Sequence, residues 1–367
     1  MSESPSLGRR LSTIWSWLRW PLALGLLGFL FWMHRADFAR LQERSIHTGW
    51  LAVGAVLCLV ATLLTFIRWY LLVWAQGFEF SMRDAVRIGF LGYLFNYIAP
   101  GAVGGDFIKG AFLVKEQSSR RLVALGTVVV DRLAGLLALL IVGAFVSFVP
   151  TTMGDGPEMR AFLSTYRIVA AGGTAGLALL MLPAFVRSRF LQAMTRIPKV
   201  GRILGELINA LLLYSHRWRV VVAVLVMSIF GHILMLGCFY ACALGIHRPD
   251  QVPGFWEHQQ FMPAAELAGV FFPLPAGMGA LEGAIGYFYK LDGKSSGDGV
   301  LTGVAYRVIS LLIAAIGAVF YASLRREIQS ALAAESKVPI DDSTSDEGSI
   351  PQDGRTVVLA EPEPVAK

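Results

Sequence analysis

Long apolar runs separated by short charged loops make up most of the chain. A helix needs about 20 apolar residues, at 1.5 Å each, to cross a bilayer. Six apolar runs in the chain are long enough for this, and two other apolar stretches, 84–98 and 260–290, are interrupted or closed by proline and glycine. The pattern predicts an all-α polytopic membrane protein with about six full spans and two re-entrant or broken helices. The runs read as full spans are 18–33, 50–75, 122–149, 163–186, 219–245 and 299–323.

Helix breakers and charges occur together in residues 96–110, NYIAPGAVGGDFIKG, between two apolar segments. Non-helical backbone at membrane depth is tolerated only where protein or a water-filled cavity surrounds it. We therefore expect the proline to end an inbound half-helix and the glycines to allow a sharp turn. The outbound half-helix then directs its N-terminal N–H groups and partial positive charge at a cavity. Such a place suits an anionic headgroup.

The same breakers recur later in the chain, which indicates an internal repeat. A shift of 175 residues aligns 97–115 with 272–290. Asp106 then lies one position before the residue that aligns with Glu282. Three predicted spans separate the copies, so the two motifs, around 96–132 and 271–307, enter the membrane from opposite faces. This is the arrangement of an inverted-topology repeat, whose discontinuous helices meet near the midplane. The coinciding pairs are Pro100 with Pro275, Gly104 with Gly279, Lys115 with Lys290, and Arg132 with Arg307.

Composition and charge agree with a membrane domain. Apolar residues make up 55% and charged residues 16% of the chain, whereas soluble domains carry about 25% charged residues. Basic segments at 115–121 and 187–219 are expected in the cytoplasm, together with both termini. From Glu327 onward there are nine acidic and three basic residues, which favours a disordered tail. The predicted divisions are a cytoplasmic segment 1–17, a transmembrane domain 18–325 and an acidic disordered cytoplasmic tail 326–367.

Several function classes find no support in the sequence. The stretch GAVGGD lacks the preceding strand and the Gly-Lys-Ser/Thr ending of a nucleotide loop. The basic loop 187–219 is explained by cytoplasmic orientation and anionic lipid, so we expect no nucleic acid partner. Cys58, Cys238 and Cys242 lie in apolar spans and are interpreted as small core residues. We therefore expect no metal and no cofactor.

Charged residues inside the spans are the candidates for chemistry. Arg132 and Arg307 lie deep in their spans, where a charge costs about 2.5–3.5 kcal/mol, so each needs a partner. Asp106, Glu282 or a lipid phosphate are the candidates, because Asp131 points about 100° away from Arg132 on the helix. Two interpretations stay open for the arginines: phosphate binding by the guanidinium and a structural ion pair. The two acids either pair with the arginines or relay protons.

Other polar residues have simpler expected roles. Lys109, just beyond the turn, is positioned to attract an anionic lipid, and Asn96 to satisfy backbone groups freed at the break. Arg68 is interpreted as an interfacial residue whose charged end reaches out of the apolar layer. Glu266 is expected to supply polar contacts within the second broken segment, and His232 to be a hydrogen-bonded packing residue.

These motifs resemble those of one known family, the membrane flippase-like domain of lysylphosphatidylglycerol synthases and its stand-alone relatives. The resemblance covers roughly 15–325, with Lys109 where arginine is common and Ala276 where glycine is usual. The residues that carry it are Asn96, Pro100, Gly101, Gly104, Gly105, Asp106 and Lys109, then Asp131 and Arg132, then Pro273, Pro275, Ala276, Gly277, Gly279 and Glu282.

The resemblance implies that the protein binds a polar-headed lipid, a phospholipid or a lipid-linked sugar, and moves it between the leaflets of a bacterial inner membrane. We expect a stand-alone member without the aminoacyltransferase domain, hence not an enzyme. The alternatives are a non-transporting accessory or scaffold that partners envelope lipid or glycolipid biosynthesis enzymes, a membrane transferase, and a small-solute transporter.

Overall fold

The structure is a computed structural model that describes residues 46–98, 104–117, 120–150, 157–182, 217–272 and 274–335, with a few isolated positions elsewhere. Regular structure within these ranges is helical, which confirms the all-α prediction. Two short 3₁₀ turns, Pro249–Gln251 and Pro275–Gly277, accompany the α-helices. The α-helices are α1 (Thr48–Ala75), α2 (Met82–Ile98), α3 (Gly104–Glu116), α4 (Arg121–Ser147), α5 (Pro157–Met181), α6 (Trp218–Ile246), α7 (Phe255–Phe271), α8 (Ala280–Leu291) and α9 (Ser296–Glu335).

Four of the described helices contain stretches long and apolar enough to cross a membrane. They are Thr48–Ala75, Val123–Ser147, Trp218–Ile246 and Ser296–Ala322, and each matches one predicted span. The predicted span 163–186 overlaps α5, whose first half carries charged residues and which does not belong to this group. The predicted span 18–33 lies outside the described ranges. The structure therefore supports four of the six predicted full spans.

Both interrupted segments form broken helices, as predicted. α2 and α7 each contain 17 residues and each is followed by a short helix, of 13 residues in α3 and 12 in α8. The second break lies between Phe271 and Ala280 and contains the 3₁₀ turn Pro275–Gly277. Gly277 in this turn (φ 65°) and Gly279, the N-cap of α8 (φ 80°), have positive φ. Ala276 in the same turn has a φ of 48°, which costs a residue with a Cβ about 1–2 kcal/mol. The resemblance places glycine at this position.

The order of helices occurs twice. A long helix, a 17-residue helix, a short helix and another long helix follow one another in α1–α4 and again in α6–α9. The packing corresponds as well: α1 lies along α6, α2 contacts α9, and α7 contacts α4. Helix α5 stands between the two sets in the sequence and packs on α4.

The core around α1 and α6 contains cysteine, aromatic and aliphatic side chains. Cys58, Cys238 and Cys242 are free thiols and are fully buried, in a cluster that includes Phe66 and Phe90. Their expected role as core residues is confirmed.

Helix α9 continues further than the sequence pattern indicated. The predicted disordered tail begins at 326, yet the helix runs to Glu335. The segment REIQSALAAE consists mainly of good helix formers, so nothing in it ends the helix that precedes it. The remainder of the tail, 336–367, lies outside the described residues.

Candidate functional site

The first break presents a carboxylate to an arginine of the following long helix. Asp106 is the third residue of α3, and Arg132 is the twelfth residue of α4. The Arg132 Nε donates a hydrogen bond to Asp106 Oδ2. The two side chains differ in exposure, 44% for Arg132 and 15% for Asp106. One end of this ion pair is therefore open at the protein surface.

The second break repeats the arrangement in a closed form. Glu282 is the third residue of α8 and Arg307 the twelfth of α9. Arg307 Nε donates to Glu282 Oε1 at 2.7 Å, and Nη1 donates to the Ala276 carbonyl at 2.8 Å. The Gly279 N–H donates to Glu282 Oε2 at 2.6 Å, and Glu282 is fully buried. The charges of Arg307 and Glu282 are thus paired inside the protein, and the N–H group at the start of α8 is hydrogen-bonded there.

The end of α2 lies against the second break. Tyr97, next to the end of α2, forms a buried cluster with Leu274 and Met278 of the second break. Its hydroxyl donates to Ser310 Oγ at 2.6 Å, one helical turn beyond Arg307 on α9. The expectation that the two motifs meet inside the protein is met by these contacts.

A buried charged cluster lies beside the first ion pair. Arg68 Nε donates to Asp131 Oδ1 at 2.7 Å, and Arg68 Nη1 donates to Ser228 Oγ at 2.9 Å. Lys109 Nζ lies 3.5 Å from Asp131 Oδ2 and 5.2 Å from the centre of the Trp69 ring. Arg68, Lys109 and Asp131 are all at most 8% exposed. Together they carry a formal charge of +1, a favourable environment for an anion.

The interpretation of Arg68 as an interfacial residue is wrong. Its position near the end of an apolar run suggested a charge that reaches the membrane surface, whereas α1 packs against α4 and α6 and encloses it. The signal that points to Arg68 is Asp131, an acid in the predicted span 122–149 that needs a cation at that depth.

Lys109 was expected to attract lipid, but its ammonium group is buried against Asp131. Arg132, in contrast, has an exposed side chain. Of these two cations, Arg132 is therefore the exposed one, and Lys109 is buried beside Asp131.

Asn96 closes the first break, as predicted. Its Oδ1 accepts a hydrogen bond of 2.7 Å from the N–H of Gly105, near the start of α3. The helices meet closely here, because a Cβ on Gly105 would stand 2.7 Å from the carbonyl oxygen of Gly92. Gly104, the first residue of α3, is also buried. Pro100 and Gly101, like Pro273 in the second break, fall outside the described ranges.

His232 and Glu266 add a third polar group within the helices. The predicted hydrogen bond of His232 is confirmed, since its Nε2 lies 3.1 Å from the Gly135 carbonyl oxygen. Its Nδ1 lies 3.5 Å from Glu266 Oε2 on α7. Glu266 therefore links the second broken segment to α6, which is the polar contact expected of it.

These features define a polytopic helical membrane protein with two broken helices that meet, each followed by a carboxylate–arginine pair. The family model of the lysylphosphatidylglycerol synthase TM region matches residues 18–317, and the chain belongs to this family. The family ties the protein to lipid handling in a membrane. Comparisons with curated proteins and with solved structures found no match.

Proposed function

We propose that the protein binds a polar-headed lipid, anionic or glycosylated, beside Arg132 and moves it between the two leaflets. The observation that carries the proposal is the exposure of the Arg132 side chain, 44%, within the apolar stretch Val123–Ser147. Asp106 pairs with this guanidinium group, and its exposed side chain places positive charge where an anionic headgroup can approach it, which lipid tails do not provide.

The depth of Arg132 supports this reasoning. Nine residues separate it from Val123, the start of the apolar stretch, or about 14 Å along a helix and about half of a hydrocarbon layer. The Arg132 Nε donates to Asp106, and a phosphate that approaches the exposed side of the guanidinium group is attracted by its positive charge. The formal charge of +1 in the cluster behind it favours that phosphate further.

The two sets of helices support movement of the lipid between leaflets. We interpret α1–α4 and α6–α9 as inverted-topology repeats, with both termini cytoplasmic in a bacterial inner membrane. In such proteins one repeat rocks against the other around a site near the midplane. In this interpretation, the open pair Asp106–Arg132 and the closed pair Glu282–Arg307 represent the two conformations that each half adopts in turn during transport. No bond of the lipid is made or broken in this process.

A non-transporting accessory role in envelope lipid biosynthesis is the second candidate. The second pair favours it, since Arg307 and Glu282 are buried and held by the Ala276 carbonyl and the Gly279 N–H. A fixed second half fits a protein that holds a lipid for a partner enzyme without moving it.

The test is lipid movement in vesicles of phosphatidylethanolamine and phosphatidylglycerol, followed with a fluorescent phosphatidylglycerol whose outer-leaflet label is quenched chemically. We expect wild type to expose inner-leaflet label and Arg132→Gln to do so at least about tenfold more slowly, the effect of losing a hydrogen bond to a charged group. Arg248→Gln, whose side chain is 76% exposed, serves as the control and should behave as wild type.

Two outcomes separate the candidates. If Arg132→Gln moves the label as fast as wild type, Arg132 is not the headgroup residue. Native mass spectrometry of the same proteins shows whether lipid is retained. If wild type retains phosphatidylglycerol and moves none, the accessory role replaces transport.

A further inference from the structure

His232 joins three helices through its two ring nitrogens. Nε2 lies 3.1 Å from the carbonyl oxygen of Gly135 on α4, and Nδ1 lies 3.5 Å from Oε2 of Glu266 on α7. A carbonyl oxygen only accepts hydrogen bonds, so the Nε2 position must carry a hydrogen. The tautomer of the ring is thereby fixed, and only Nδ1 is left to exchange a proton.

This geometry provides a place for one proton between His232 and Glu266. With the proton on Nδ1, an imidazolium faces a carboxylate; with the proton on Oε2, a neutral ring accepts from a carboxylic acid. Both forms are neutral overall and attractive. Without that proton, the lone pair of Nδ1 faces a carboxylate, and the contact becomes repulsive.

Among the described residues, no lysine or arginine contacts Glu266, so none neutralises its carboxylate instead of the proton. The groups that interact with it are the Tyr166 hydroxyl on α5 and the Cys238 thiol on α6, and neither carries positive charge. Helix α8 contributes Glu282, whose carboxylate is already bonded to Arg307. Glu266 Oε1 is buried and has no hydrogen-bond partner within the described part of the chain. Among the described residues, His232 is therefore the basic side chain in contact with this carboxyl group.

The proton position adjoins the headgroup site. Gly135 lies one turn from Asp131 on α4, and His232 lies one turn from Ser228 on α6. Arg68 spans this interval: its Nη1 bonds to Ser228, and a Cβ on Gly135 would stand 3.2 Å from the same nitrogen. A change at His232 is thus transmitted to the charged cluster through directly packed groups.

Helix α7 contains a proline that makes bending near Glu266 easier. Pro263 lies inside it, three residues before Glu266. A proline in a helix interior removes one backbone hydrogen bond and marks a point of bending. The second half of α7 leads directly into the second break.

We propose that His232 and Glu266 together bind a single proton, and that this proton holds α7 against α4 and α6. The proton leaves from Nδ1 or Oε2 to water, which reaches the pair through its exposed fraction, 22% for His232 and 14% for Glu266. Its release frees α7, and with it the second break. In a lipid transporter this step couples headgroup movement to proton movement. The coupling rests on the proposed function, whereas the proton site itself does not.

Another carboxyl group near these helices also titrates and must be controlled. Asp292 lies in the turn after α8, and burial, with a smaller contribution from Glu257, raises its pKa to about 6 although Lys294 opposes the shift. Because it lies outside the contact of His232 with Glu266, the Asp292→Asn variant separates its titration from that of the proposed site.

The proton site is tested by hydrogen–deuterium exchange of the full chain in lipid nanodiscs between about pH 5 and pH 9, with labelling times scaled for the intrinsic exchange rate. We expect exchange in peptides of α7 to rise at least about tenfold as the proton is lost. In Glu266→Gln the amide donates to Nδ1 at every pH, so α7 should stay protected throughout. In His232→Phe, α7 should exchange rapidly at every pH, and Asp292→Asn should respond as wild type does.

Three results overturn the proton site: a wild-type α7 with no pH response, an unchanged response in Glu266→Gln, or its loss in Asp292→Asn. Coupling is tested in the phosphatidylglycerol vesicles with an imposed pH gradient, which should change the wild-type rate and leave Glu266→Gln unaffected. If wild type moves label at a rate independent of the gradient, coupling is overturned and transport stands. If wild type moves no label, the proposed function fails and coupling fails with it.

Discussion

At the residue scale, Arg68 connects three helices from a position deep in the protein. Its guanidinium group bonds to Asp131 on α4 and Ser228 on α6, and 8% of the residue is exposed. A buried pair of this kind contributes little net stability compared with an apolar pair, but the loss of one partner leaves an uncompensated charge.

Arg68→Gln is therefore expected to lower the free energy of unfolding by about 3–5 kcal/mol. The reason is the Asp131 carboxylate, which loses its 2.7 Å partner and keeps Lys109 at 3.5 Å. Thermal unfolding in detergent measures the effect, with Arg248→Gln as the exposed control, expected to change stability by less than about 0.5 kcal/mol. Equal stability of the two variants would contradict the role of Arg68.

The sequence indicated the partners of charged residues only where they lie within one motif. Asp106 was one of three candidate partners for Arg132, with Glu282 and a lipid phosphate, and Asn96 was expected to satisfy backbone groups at the break. Arg68 lies 63 residues from Asp131, and no local spacing indicates which helix brings the cation. That partner depends on how α1 packs against α4, which is a property of the folded chain.

At the scale of elements, the broken helices are recognisable from proline and glycine alone, since both residue types end or bend helices for local reasons. The close contact of α2 with α3 is less evident. Gly92 lies in the middle of an apolar helix, and its partner Gly105 follows the break. Only the folded hairpin shows that the two glycines face each other.

We expect Gly105→Ala to destabilise the hairpin by about 1–3 kcal/mol, because the added methyl group overlaps the Gly92 carbonyl oxygen. The matched control is Gly231→Ala in α6, where a Cβ meets nothing within 4 Å; it should raise stability by up to about 1 kcal/mol. Thermal unfolding of both variants, with lipid movement measured beside it, checks the prediction. Similar unfolding temperatures would mean that the α2–α3 contact is looser than described.

At the scale of the whole molecule, the two sets of helices share their order and differ in how they hold their charges. Matching prolines, glycines and arginines indicated the correspondence, and the third-residue carboxylate and twelfth-residue arginine of each copy agree with it. The difference between an open and a closed pair was not predictable, because exposure depends on the neighbours that each set packs against.

This difference predicts unequal effects of equivalent substitutions. Glu282→Gln leaves the buried Arg307 guanidinium with the Ala276 carbonyl and a neutral amide, and should cost about 3 kcal/mol or more of stability. Asp106→Asn should cost about 1 kcal/mol or less, because water or lipid headgroups reach the exposed Arg132. Denaturation of the two variants under the same conditions measures the contrast. Equal losses would indicate that the two pairs share one environment.

The length of α9 has a consequence for the charges that follow it. Its apolar stretch ends at Ala322, and thirteen more helical residues lead to Glu335, which adds about 20 Å beyond the membrane boundary. The surface potential of anionic lipids decays over about 8 Å at physiological ionic strength. If α9 continues along the membrane normal, Glu335 therefore lies more than two decay lengths from the bilayer, where the like charge of the lipids no longer repels it.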